Sequence, residues 1–396
     1  VPHRALPPVP LPVHVNIETS LLCNLSCIMC APHLTGSTQK RDLVSDALLE
    51  RIEDQVLPEA AFVALTVAGE PFADKTWPRY LALAKRTGTR LVVHCNGTLL
   101  PKEDDLERLL KHTQVLEFSV DAVERDTFAS IRGQDALPRI LDNIRRAVAV
   151  RDRLPKRQRP RLGVTMVLMK RNIAQLPAMV DMAADLGLDS VGAVHLTVFA
   201  DHLDGESLRH RPAVADAAFA LARQRAAAAH VTLNLPPDMD GTLHRTSPTR
   251  ARIDHARGIL GKAGRRWAQR VWRVAKNRLA VSRWSQRAGG KVGCNYLMHR
   301  AYVSVGGDVT PCCMPGRPVV GNLLNQDFDT IWNGPIYTAM RRGMLDGRPF
   351  DCCAHCSVNR DEGYVPFDER TARPPDQQLM AAPTPDTTPE GRRAQP

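Results

Sequence analysis

Six short apolar, β-branched runs, separated by helical patterns mostly ten to fifteen residues long, predict an α/β fold. Strands alternating with helices in this way form a parallel sheet, here wound as a partial, TIM-like (β/α)6 barrel. The runs fall at 13–19, 62–67, 90–94, 115–121, 162–169 and 189–196. Helical patterns occupy 44–56, 77–86, the shorter 106–110, 137–149 and 173–186, the last beginning after Asn172 and ending at Gly187. A helix over 213–230 and an apolar run over 231–235 close the first region, residues 1–235. In such a barrel the chemistry sits at the C-terminal ends of the strands.

The chain has 396 residues and is 43% hydrophobic, enough for a buried core and a second domain. No apolar run approaches the roughly 18 residues that span a bilayer. The opening VPHRALPPVPLPVHV is broken by five prolines and two histidines, unlike the apolar core of a signal peptide. A cytoplasmic protein is expected, and its ten cysteines, mostly in two groups, read as metal ligands in a reducing compartment better than as a disulfide framework.

Residues 236–290 read as an insertion or linker. The net charge of +11 originates there: 250–291 holds thirteen Lys or Arg against the single acid Asp254. The rest of the chain is close to neutral, which argues against nucleic acid as a general partner. Trp267, Val271 and Val274 share a helical face, with Arg266, Arg270, Arg273 and Lys276 around it. Such a helix can pack its tryptophans on the barrel, lie peripherally on an anionic membrane through 250–291, or meet RNA phosphates.

A smaller C-terminal domain is expected over 291–370, with a strand-like run at 301–305, a Gly306-Gly307-Asp308 turn and six cysteines. The Pro-rich, polar tail 371–396 reads as disordered. No internal repeat is evident.

Cys23, Cys27 and Cys30 follow the first strand in CNLSCIMC. Three thiolates on one short loop can hold three corners of a [4Fe–4S] cube and leave the fourth iron open. A zinc knuckle with His33 as fourth ligand is the alternative. This loop resembles the signature of the radical S-adenosylmethionine (SAM) superfamily, and the resemblance extends over most of the chain. In that family SAM chelates the open iron, and its reductive cleavage yields a 5′-deoxyadenosyl radical that abstracts a substrate hydrogen. Ala68-Gly69-Glu70-Pro71 resembles the G-G-E-P turn after the second strand, implying that Glu70 and the backbone at Gly69 meet the SAM ammonium; Ala68 replaces the first glycine. Cys95-Asn96-Gly97-Thr98 resembles the T-N-G-T turn after the third strand, with Cys95 for threonine. Ser119 and Asp121 match positions that face the ribose or carboxylate of SAM, although Ser-x-Asp also occurs as a helix cap or turn. Ile131-Arg132-Gly133 follows, as it often does in relatives. Met29 stands where many relatives carry an aromatic.

Cys294, Cys312, Cys353 and Cys356, with GGDVTPCCMPG, VGNLLNQ and DTIWNG between them, resemble the family's C-terminal auxiliary-cluster extension, SPASM in its longer form and twitch in its shorter. Glu362 stands where the longer form continues with cysteine, and none follows Cys356, so one auxiliary [4Fe–4S] cluster is implied. A zinc ribbon would tolerate the same spacing. Cys313, Cys352 and Cys95 read as packed thiols or hydrogen-atom donors.

A fully ligated auxiliary cluster has no iron open to substrate, so its implied role is electron transfer. The resemblance implies an oxidoreductase, reduced by flavodoxin or ferredoxin, that dehydrogenates or epimerises a carbohydrate- or aminocyclitol-like small molecule. No separate peptide-recognition domain is evident before the first strand, which favours a small substrate over the alternative, a maturase of ribosomally made peptides. An alternative of another class is a zinc-dependent nucleic-acid-binding protein. Cys95, His195, Asp308 and His299 are the polar candidates for a catalytic group near the barrel mouth.

Overall fold

The computed structural model describes residues 6–34, 42–65, 68–198, 200–239, 265–288, 294–313, 317–354 and 356. Seven strands form in chain order: β1 (His14–Ile17), β2 (Phe62–Leu65), β3 (Arg90–Cys95), β4 (Thr113–Ser119), β5 (Arg161–Leu168), β6 (Ser190–His195) and β7 (Thr232–Asn234). Each runs parallel to the next. The C-terminal region adds β8 (Arg300–Val303), β9 (Asp308–Thr310) and β10 (Gly321–Asn322). These complete a ten-stranded sheet in the order β10-β9-β8-β1-β2-β3-β4-β5-β6-β7. β8 pairs parallel with β1, so the C-terminal region starts by extending the barrel sheet rather than standing apart from it.

The six predicted strands are all present. Their outward positions, such as Val15, Ile17, Leu91, Val93, Leu116 and Phe118, are fully buried under the covering helices. The predicted helix 44–56 starts at Ser45, whose hydroxyl accepts from Leu48 N–H, and runs as Asp46–Arg51 into a wider turn, Ile52–Val56. The pattern at 106–110 understates a helix over Glu103–His112, whose acids sit in its first turn and whose Lys111 and His112 sit in its last, complementing the helix dipole. The helix Arg125–Arg132 gave no signal in the sequence, being short and charged at its start.

The basic segment holds a 24-residue helix, Arg265–Ala288. Asn277 Nδ2 donates to the Leu11 carbonyl (2.8 Å), Arg273 to Ala60 (2.7 Å) and Arg270 to Gly88 (2.9 Å), so the helix lies where β1, β2 and β3 begin, at the barrel floor. No helix among the described residues is long and apolar enough to cross a membrane. The tail 371–396 and Glu362 lie outside the described residues.

Candidate active site

The loop leaving β1 carries the first three cysteines and is strapped to the segment at 131–132: Ile28 N–H donates to the Ile131 carbonyl (2.9 Å) and Ser26 N–H to that of Arg132 (3.3 Å). Burial pushes the Cys27 thiol up to about 11 and raises Cys23 and Cys30 as well. Buried thiols of this kind ionise when a cation compensates them. Arg132 supplies part of that charge, with Nη1 3.6 Å from Cys27 Sγ. It is itself held by Asp121, with Nε–Oδ2 at 2.5 Å. The Cys27 sulfur is buried and those of Cys23 and Cys30 are half-buried, all three near enough to raise one another beside a fixed guanidinium, and three thiols on one loop are the donor set that three corners of an iron–sulfur cube would use.

Gly69 has φ +76°, and a Cβ there would stand 2.3 Å from the Ser20 carbonyl oxygen, so only glycine lets the β2 turn pass under the cysteine loop. Glu70 N–H then donates to the Leu22 carbonyl (2.7 Å). The Glu70 carboxylate accepts from Phe72 N–H (3.2 Å) and from Asn96 N–H (2.5 Å), joining the turns after β2 and β3. Burial pushes Glu70 up to about 7 despite these bonds. Asn96 Nδ2 donates to Asn24 Oδ1 (2.9 Å) and lies 3.9 Å from Cys23 Sγ, so Glu70, Asn96 and the cysteine loop form one unit.

Ser119 lies half-buried at the end of β4. Asp121 is turned differently from the expectation that it faces SAM. One of its oxygens meets Arg132 and the other accepts from Val167 N–H at 2.7 Å. Arg132 is the residue whose role the sequence left unassigned.

Cys95, His195 and His299 are turned away from the concave side of the sheet, and Asp308, whose register puts it on that side, is engaged within its own edge of the sheet. Cys95 is buried in the core, where its thiol is pushed well up. His195 packs against Phe219 (ring centroids 6.0 Å apart), and burial lowers it to about 4. Asp308 Oδ1 accepts from Asn322 Nδ2 (2.8 Å) and knits the β9–β10 pairing. His299 pairs with Asn277 (2.6 Å) at the barrel floor.

The concave face carries other polar groups. His94 and Glu117 are register partners on β3 and β4, with Nδ1 3.7 Å from Oε2, and Thr165 Oγ1 on β5 donates to the same Oε2 at 2.6 Å. The His94 side chain is 46% exposed and Val194 on β6 is 48% exposed, although both sit within a ten-stranded sheet; the lumen is open. His14 on β1 is lowered to about 3 by burial, then by Arg300 and His94, which places all three on this side. The strand alternation carried this signal, but only the register shows which face is concave.

The second cysteine group converges. Cys294, Cys312, Cys313, Cys352, Cys353 and Cys356 line one pocket, with Tyr296 and Met340 among its walls. Cys356 N–H donates to the Cys353 carbonyl (3.3 Å), closing the turn that presents both. Cys352 Sγ is 3.9 Å from Cys353 Sγ, and Cys313 is exposed at the pocket edge. Tyr296 stacks on Tyr302 of β8 (6.2 Å, 18°), so this pocket abuts the barrel sheet.

Residues 17–192 match the Radical SAM superfamily, and residues 294–357 match SPASM, an iron-sulfur cluster-binding domain. The chain is 25% identical over 179 residues to the tungsten-containing aldehyde ferredoxin oxidoreductase cofactor-modifying protein of Pyrococcus furiosus, covering 45% of this chain and 50% of that one. It is 25% identical over 189 residues to a probable GTP 3′,8-cyclase of Sulfurisphaera tokodaii, covering 46% and 55%. The chain thus spans about half the length of these curated relatives. The solved structure of native anSMEcpe with bound AdoMet is similar with a TM-score of 0.59 at 13% identity, covering 94% of this chain and 96% of that one, a likeness of fold alone. Both cysteine groups therefore fall within iron–sulfur families, which replaces the zinc knuckle, the zinc ribbon and the zinc-dependent nucleic-acid-binding alternative.

Proposed function

The chain belongs to the radical SAM superfamily, with a C-terminal SPASM iron–sulfur cluster-binding domain, and on that premise we propose that it removes a hydrogen atom from a carbohydrate- or aminocyclitol-like substrate, ending in dehydrogenation or epimerisation. It is a radical SAM enzyme whose cofactors are the SAM-binding [4Fe–4S] cluster and an auxiliary iron–sulfur cluster. Cys23, Cys27 and Cys30 would hold the first, and Cys294, Cys312, Cys353 and Cys356 the second. Together these groups would supply a 5′-deoxyadenosyl radical and an electron acceptor. Gly69 backbone, Glu70, Asn96 and Ser119 line the rim where SAM would be held, and Asp121 acts there through Arg132.

One observation carries the substrate class: the polar lumen beneath that rim. Glu117 offers a carboxylate already oriented by Thr165, and His94 stands beside it. Burial lowers His14 to about 3, and partial desolvation lowers the half-exposed His94 against the opposing pull of Glu117, so both rings favour the neutral form, with one acceptor nitrogen and one donor each. A carboxylate, two neutral imidazoles and the Arg300 guanidinium suit the hydroxyl and amino groups of a polyol better than an apolar ligand. Neutral His94 can accept a hydroxyl proton when the neighbouring carbon is oxidised.

The test is deuterium transfer. Reconstituted enzyme with SAM and reductant is given carbon-deuterated hexoses and aminocyclitols, and deuterium is expected in 5′-deoxyadenosine. Transfer from a peptide substrate, with none from any polyol, would overturn the reading in favour of a peptide maturase.

A further inference from the structure

The helix Arg265–Ala288 docks with Arg270, Arg273 and Lys276 bonded to the barrel and turns an apolar strip outward. On the inner side Arg273 bonds the Ala60 and Thr87 carbonyls, Asn277 bonds Leu11, and Trp284 is 3% exposed with its Nε1 donating to the Pro7 carbonyl. At 3.6 residues per turn, Val271, Trp272, Ala275 and Leu279 fall together on the opposite side. Val271 is 45% exposed, Trp272 59% and Leu279 54%. Over 271–279 this face is apolar where a helix meeting only water would be polar, and the exposed Ser282 and Gln286 continue the same face beyond it. The strip is edged by Arg278, Arg283 and Arg287, all exposed, and the helix contains no Asp or Glu.

We propose that this outer face rests on an anionic membrane surface, with Val271, Trp272 and Leu279 entering the interface and Arg278, Arg283 and Arg287 meeting lipid phosphates. The charge pattern selects this occupant. A second copy seated on the same face would set arginines against arginines, and a nucleic acid would satisfy the arginines but leave the apolar strip without a partner. The cations differ from those the sequence suggested: Arg270 and Arg273 are engaged by barrel carbonyls, and the side chains of Arg266 and Trp267 lie outside the described residues. Because the helix sits where β1, β2 and β3 begin, the membrane lies beneath the barrel floor, and the rim with Cys23, Glu70 and Asn96 faces away from it. The contact anchors the enzyme while leaving the rim open to a water-soluble substrate and reductant. It stands independently of the substrate proposed above.

Full-length reconstituted protein is floated with vesicles of phosphatidylcholine plus phosphatidylglycerol and, separately, of phosphatidylcholine alone. Recovery is expected with the anionic vesicles only. It falls about tenfold in Trp272→Ser/Leu279→Ser and in Arg278→Glu/Arg283→Glu/Arg287→Glu, each retaining wild-type iron content. Brominated lipid quenches tryptophan fluorescence in the wild type and less in Trp272→Phe, a readout independent of folding losses. No recovery with anionic vesicles, or recovery that survives both sets of substitutions, overturns the proposal. So does a dimer in light scattering that Leu279→Ser dissociates, or RNA binding that needs the arginines and not Trp272 or Leu279.

Discussion

The Glu70 carboxylate accepts the backbone N–H of Asn96 at 2.5 Å, and this single bond ties the turn after β2 to the turn after β3 beside Cys23. The acid is therefore placed by two strand ends at once, as a site for an ammonium group requires. Glu70→Gln keeps an acceptor for Asn96 but removes the charge. SAM affinity is expected to fall roughly 10- to 100-fold, with iron content unchanged. Equilibrium dialysis against labelled SAM, beside an iron assay, measures both.

How much of this was legible beforehand depends on how local each signal is. Cys23, Cys27 and Cys30, and the turns at Gly69-Glu70 and Cys95-Asn96, are short motifs at strand ends, and a sequence carries these directly. His94 and Glu117 were also in view, inside runs read as strands, but period-two alternation cannot say which face is concave until the register is known. His195, Asp308 and His299 stand out in the sequence by residue type alone, and each is occupied by packing or pairing that depends on tertiary structure. The basic helix was legible as amphipathic. Its inverted seating was not, because the carbonyls of Ala60, Thr87 and Gly88 that attract its arginines leave no trace in side-chain pattern.

Gly69 and Gly88 both have positive φ, yet only Gly69 is crowded, since a Cβ at Gly88 meets nothing within 4 Å. Gly88→Ala is expected to cost about 1–2 kcal/mol from backbone strain alone. Gly69→Ala adds a clash with backbone and is expected to cost about 3 kcal/mol or more, with loss of iron. Thermal unfolding and iron content of the two variants separate the effects.

For the lumen, His94→Ala and Glu117→Gln are expected to lower kcat/KM on the true substrate by roughly 100-fold. Neither touches the cysteine loop, so substrate-free cleavage of SAM and the iron content stay at wild-type values. A loss of SAM cleavage in step with kcat/KM would show instead that the pair supports the rim.

At the auxiliary pocket the preferred ligand of the vicinal pair is Cys353, which begins the turn closed by Cys356. In Cys353→Ala, iron is expected to fall from about eight to about four per chain, whereas Cys352→Ala and Cys313→Ser retain about eight. Iron and sulfide assays after anaerobic reconstitution read this directly. The reverse pattern at 352 and 353 would exchange the two assignments.

His195 gives the pH dependence a definite sign. Burial against Phe219 lowers it to about 4 in the folded chain, against 6.5 when exposed. The unfolded chain therefore binds a proton, as pH falls below 6.5, that the folded chain refuses. Stability is lost by about 1.4 kcal/mol per pH unit between those values, or roughly 2 kcal/mol from pH 7 to pH 5. His195→Gln has no proton to bind, so its urea midpoint should fall less over the same interval. His14, lowered to about 3, contributes equally to both proteins, and the difference between them isolates His195. Equal losses in wild type and variant would mean that the His195 ring is already protonated or solvated in the folded barrel.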